Sequence, residues 1–92
     1  MTQQVLSFTI DKKKYVSNIF DFECFCMVSE EHLGAKNNSI FTCTKKAIYR
    51  MFEGTDATED VLDNLPAKTM VGFCRKVWEW YSEILEDSGK NE

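Results

Sequence analysis

The chain is poor in the side chains that chemistry needs. His32 is its only histidine, and no partner can be named that would make it a general base. Near the C-terminal end of a helical pattern, its simplest role is a solvated cation on the helix dipole. Glu30-Glu31 and Glu59-Asp60 are adjacent carboxylate pairs. Neighbours on a helix diverge, so neither makes a two-carboxylate site. Gly34, Gly54, Gly72 and Gly89 stand apart, which leaves no phosphate-cradling loop. Cys24, Cys26, Cys43 and Cys74 contain no C-x-x-C pair, and Cys24 and Cys26 point in different directions on a helix. The expectation is four reduced, metal-free thiols that pack as small hydrophobes. An enzyme is not expected, and neither is a cofactor. No run is apolar enough to cross a bilayer. Met1 leads into "TQQ" without a basic start or a signal-like apolar stretch, so the reading is a cytoplasmic chain without membrane contact.

Positive charge is outnumbered, with 11 Lys and Arg against 15 Asp and Glu. The formal net charge is -4, against general binding to phosphate backbones, which needs clustered Lys and Arg. Lys12-Lys13-Lys14 and Lys45-Lys46 with Arg50 are local exceptions. They read as a turn and a solvated helix face.

What is present fits one small α+β domain over the 92 residues. A hairpin is expected over about 5–18, a helical part over about 20–87 and a frayed tail over 88–92. "VLSFTI" alternates, with Leu6, Phe8 and Ile10 on one face. "DKKK" is turn-like and "KYVSN" offers a second strand. Two strands alone are marginal, so this face must pack on helices. "DFECFCMVSEEHLG" changes period. Asp21 is a candidate N-cap, Gly34 a stop, and Phe22, Phe25, Cys26 and Leu33 can line one side. After the linker "AKNNS", Ser39 can cap a second helix with Phe41, Thr44, Ala47, Ile48, Met51 and Phe52 at helical spacing, ended by Gly54. "TDATEDVLDNL" holds a short third helix, with Asp56 and Glu59 spaced for a capping box. Pro66 suits the first turn of a last helix, with Asn64 or Leu65 as its cap. Met70, Phe73, Cys74, Val77, Tyr81, Ile84 and Leu85 then give the strongest period in the chain. The architecture is a short hairpin followed by a compact bundle of three to four helices.

The last helix carries more apolar surface than one stripe needs. Trp80 shares the flank of Phe73, Val77 and Ile84, while Trp78 falls with Val71 and Leu85. Such a helix is either wrapped by its own domain or covered by a partner. Trp and Tyr are common interface anchors. The candidate partner-binding residues are therefore Trp78, Trp80, Tyr81, Val71 and Leu85.

The order of the pieces adds a resemblance. "FTIDKKKYVSN" leads into "FDFECFCMVSEEHLG", then "KKAIYRMFEG" and "TDATEDVLDNL". This resembles the small tail assembly chaperones of long-tailed bacteriophages and prophages. The matching residues are Ile10, Asp11, Lys13 and Tyr15; Phe20, Asp21 and Phe22 with Glu31, Leu33 and Gly34; Ala47 and Tyr49; and Ala57. Lys12 stands where that pattern commonly has a turn glycine. The resemblance spans about residues 6 to 85. It implies a non-enzymatic protein of the bacterial host cytoplasm that keeps the long apolar tape measure protein soluble while tail tube protein polymerises around it. Such a role allows homo-oligomers. The alternative is a small phage or plasmid regulatory domain that binds protein or nucleic acid, with "TCTKKAIYR" as its basic helix. The acidic balance and the lack of a helix-turn-helix with a basic second helix count against that.

Overall fold

A computed structural model describes residues 4–34 and 39–90, with side chains through residue 87. The fold is α+β: a two-stranded antiparallel hairpin followed by four helices. Strand β1 (Ser7–Ile10) pairs with β2 (Lys13–Val16), with Phe8 opposite Tyr15 and Ile10 opposite Lys13. Asp11 and Lys12 make the turn at φ 48° and 70°. Two-residue hairpin turns of this mirror-image kind need positive φ at both central positions. The chain takes that geometry without a glycine.

The hairpin is tied to the helices at its open end. Ser17 N–H donates to the Leu6 carbonyl at 2.8 Å, and Leu6 N–H donates to Ser17 Oγ at 2.8 Å. Asn18 N–H then donates to the Met51 carbonyl at 2.8 Å, and its side-chain amide to the Glu53 carbonyl at 2.9 Å. The inner face of the hairpin is aromatic. Phe8 stacks on Tyr15 at 4.8 Å and meets Phe52 at 5.5 Å and Phe73 at 6.0 Å. Leu6 is fully buried, whereas Ile10, expected on the same face, is 38% exposed at the tip.

Helix α1 is Phe22–Gly34. Asp21 caps it as expected: Oδ1 accepts the Cys24 N–H at 3.0 Å. The expected linker residues 35–38 lie outside the described residues. Helix α2 is Ile40–Met51, with Ser39 Oγ accepting from Thr42 N–H at 3.3 Å. It buries Cys43, Thr44, Ala47, Ile48 and Met51. Buried Thr44 satisfies its hydroxyl on the Ile40 carbonyl at 2.6 Å. Phe41, expected in this stripe, is 43% exposed, and Cys43 takes the inward position instead. Gly54, at φ 79°, closes the turn after α2.

Two expected caps are built differently. The N-cap of α3 (Glu59–Asp63) is Thr58, without a side-chain cap bond. Asp56 lies two residues before that cap, so the Asp56–Glu59 box does not form; Asp56 pairs with Lys13 of β2 at 3.4 Å. Asn64 closes α3 instead of opening the next helix: its amide donates to the Asp60 carbonyl at 2.7 Å. The Pro66 carbonyl accepts from Thr69 and Met70 N–H, which starts α4 (Ala67–Lys90). The helical backbone runs through Lys90, past the expected fraying point at 88; residues 91 and 92 lie outside the described residues.

The core lies where α1 and α4 both pack on α2, with the hairpin across one end. Phe52, Leu6, Ile48, Met51, Leu62, Val28 and Val77 are its largest fully buried side chains. Among the described residues no helix is long and apolar enough to cross a membrane.

Candidate interaction surface

Helix α1 is apolar on two opposite sides. At about 100° per residue, Cys24, Val28 and Glu31 point one way, and Phe22, Cys26, Ser29 and Leu33 the other. The first side meets α2. Cys24 and Val28 are buried, and Glu31 holds Lys46 of α2 at 2.6 Å. The second side faces out. Phe22 is 76% exposed and Leu33 77% exposed. An open groove of about 490 Å³ lies along it, with Cys26 and Ser29 at its floor and Phe25 and Glu30 at its sides. The sequence pattern expected Phe22, Phe25, Cys26 and Leu33 to line one side; three of them do, and Phe25 turns to the flank against Tyr81. That side is the outer one, because α2 takes the opposite stripe with Cys24 and Val28.

Between these two sides runs a flank that meets α4. Phe25 packs on Phe22 at 6.4 Å and on Tyr81 at 4.9 Å. His32 abuts Trp78 at 5.0 Å, and Trp78 abuts Tyr81 at 5.4 Å. His32, expected as a solvated cap, is therefore an exposed ring resting on an indole. Trp80 leans on Phe20 at 5.8 Å. The indoles are thus half-buried lids on the core, while Val71 is half-buried without belonging to the side chains packed against it. Tyr81, expected at the edge of a free surface, is core at 3% exposed, because Phe25 covers its ring. Of the α4 candidates only Leu85, 48% exposed, presents a mostly free apolar side chain. The wide apolar arc of α4 is explained largely from within the domain. The residues that sequence reasoning missed as surface are Phe22 and Leu33. Their signal was two interleaved apolar stripes on one helix.

A cleft of about 590 Å³ beside α2 and α3 has Met27, Tyr49, Arg50, Phe52, Ala57 and Leu62 in its wall. Tyr49 donates its hydroxyl to Asp63, and that bond pushes the phenol up to about 12. Arg50 lies 3.5 Å from Asp21 and 3.7 Å from Glu53. Its Nε is buried without a hydrogen-bond partner, so its two terminal nitrogens hold it. Lys13, Lys46 and Arg50, three cations of the basic clusters, each pair with a carboxylate. On "TCTKKAIYR" that pairs Lys46 and Arg50 and leaves Lys45 exposed, over the Tyr49 ring at 5.9 Å. Cys24, Cys43 and Cys74 are buried, and burial pushes the Cys24 thiol up to about 11. Among the described residues no group of three or more His, Cys, Asp or Glu side chains could hold a metal ion.

Comparison with protein-family models, curated proteins and solved structures found no match to this chain.

Proposed function

We propose that this protein is a non-catalytic binding module that holds an apolar helix of another protein, in the manner of a tail assembly chaperone on a tape measure protein. One observation carries the reading: the outer side of α1 is an apolar face a whole helix long, open to solvent at Phe22 and Leu33. A helix apolar on both sides is normally covered on both. Aromatic and aliphatic anchors on such a face suit helix-in-groove docking. The net charge of -4 would keep the complex soluble. The pairing of Lys46 and Arg50 with carboxylates favours this over the nucleic-acid regulator. In this reading the partner is the tape measure protein, tail tube protein is present at the same stage, and the setting is the bacterial host cytoplasm.

The test is co-expression with a helical segment of a tape measure protein. The soluble yield of that segment should rise with the wild-type chain and fall back with Phe22→Ser plus Leu33→Gln. Both substitutions are at exposed positions, so the variant should stay folded by circular dichroism. An unchanged yield with a folded wild-type chain would overturn the reading.

A further inference from the structure

The outer face of α1 has more internal order than an exposed apolar patch. Phe22, Cys26, Ser29 and Leu33 are spaced four, three and four. That is the alternation of the two seam positions of a coiled-coil strand, conventionally d, a, d and a. In the same frame Glu23 and Glu30 both fall at e, the position that flanks the seam on one side and selects the partner by charge. Phe25 and His32 fall at g, the other flank, and g is the side that turns to α4. Glu23 and Glu30 are exposed, and neither makes a salt bridge among the described residues. Glu31, one residue on, points to α2 and is held by Lys46.

We infer that α1 offers one strand of a two-helix coiled coil, and that its occupant is a heptad-patterned helix of another protein with Lys or Arg facing Glu23 and Glu30. This deepens the helix-binding reading above and rests on it. The seam from Phe22 to Leu33 spans about 16 Å at 1.5 Å per residue, so the occupant engages over about three turns. Large residues close the two ends of the groove and small ones, Cys26 and Ser29, form its floor. A bulky aliphatic side chain on the partner fits that floor as a knob fits a hole.

Charge complementarity also argues against a second copy of this chain as occupant. In an antiparallel pair of copies, e faces e, which sets Glu23 against Glu30. In a parallel pair, e faces g, which sets Glu30 against Phe25. Neither arrangement gives the carboxylates a cation, and like charges brought together at an interface discriminate against that pairing.

Two synthetic three-heptad peptides test this. Both carry Leu at the seam positions; one has Lys at both flanks and the other Glu. Binding is followed by fluorescence anisotropy, and occupancy of the seam by the rate of Cys26 alkylation. Cys26 is half-buried on the groove floor, whereas Cys24, Cys43 and Cys74 are buried in the core. The expected result is that the Lys peptide binds roughly tenfold or more tightly than the Glu peptide and slows alkylation of Cys26. Leu33→Gln should weaken binding, and Glu23→Lys with Glu30→Lys should invert the preference, both with an unchanged circular dichroism spectrum. If both peptides bind alike and protect Cys26, the charge inference fails while helix binding stands. If neither binds nor protects, the helix-binding reading fails with it. Concentration-dependent dimers that protect Cys26 without peptide would overturn the inference in favour of a second copy.

Discussion

At Asp21 one carboxylate oxygen accepts the Cys24 amide and the other faces Arg50. The amide bond is the larger reason that the carboxyl is held below its ordinary 3.8; Arg50 adds to it. Asp21→Ala should cost about 1 kcal/mol, the usual loss for an N-cap. The sign of its pH dependence follows. A lowered folded value means that the ionised form is favoured in the fold, so the contribution is present above the unfolded value and lost as pH falls through the folded one. The gap between wild type and Asp21→Ala in urea midpoints should therefore be full at pH 7 and narrow below pH 3.8. A gap that does not narrow would mean that the carboxylate is not the cap. The turn gives a second residue-scale case. Lys12 sits at φ 70°, a region that costs a side-chain-bearing residue roughly 1–2 kcal/mol and glycine almost nothing. Glycine is looser in the unfolded chain by roughly 0.5–1 kcal/mol. Lys12→Gly should leave a net gain of about 0.5 to 1 kcal/mol in urea unfolding. A loss instead would show that Lys12 makes a contact worth more than its strain.

At the scale of elements, α1 separates burial from hydrophobicity. Val28 is fully buried against α2, and Leu33, the larger and more apolar side chain, is 77% exposed. Val28→Ala should cost about 2 kcal/mol, and Leu33→Ala about 0.5 kcal/mol or less, both by thermal or urea unfolding. Equal costs would mean that the outer face is covered by the domain itself. The same helix marks the limit of what the sequence discloses. Asp21, Ser39 and Gly54 end their elements by local bonds or local backbone geometry, and they were legible. So was the Phe73–Cys74–Val77–Tyr81 stripe, because its period persists over a long helix. Which stripe of α1 turns inward was not legible, since that choice depends on how α2 returns and not on α1 alone. The Asp56–Glu59 box failed because α3 begins at Glu59 with Thr58 as its cap, two residues later than a box with Asp56 requires. Trp78 and Trp80 were legible as an excess of apolar surface. That His32 and Phe20 would lie against them was not.

For the molecule as a whole, the thiols report the layout. Cys24, Cys43 and Cys74 are buried, and burial also raises Cys43. Cys26 alone is partly open among the four. Reaction with a thiol-specific chromogenic reagent at pH 8 should consume Cys26 promptly, and the other three only at the rate of global opening, since the thiolate is the reactive form and buried thiols lack it. Denaturant should release all four at once. Prompt reaction of Cys24 or Cys43 in the native protein would mean that the contact of α1 with α2 opens locally, well below the global unfolding free energy. The hairpin bears on the same point. Its hydrogen bonds through Asn18 to Met51 and Glu53 couple the first element to the end of α2, so it should melt with the helices.

The two-sided α1 also has a consequence during synthesis. When Gly34 leaves the ribosome, both stripes are bare, and the covering helix is complete only when Phe52 has emerged, 18 residues later (52 minus 34). At roughly 5–20 residues per second, the nascent chain carries an uncovered two-faced segment for about one to four seconds. The arrival of α2 shields one face and leaves the other bare. The outer stripe, with Phe22 76% and Leu33 77% exposed, is therefore open to solvent in the folded domain as it was on the nascent chain.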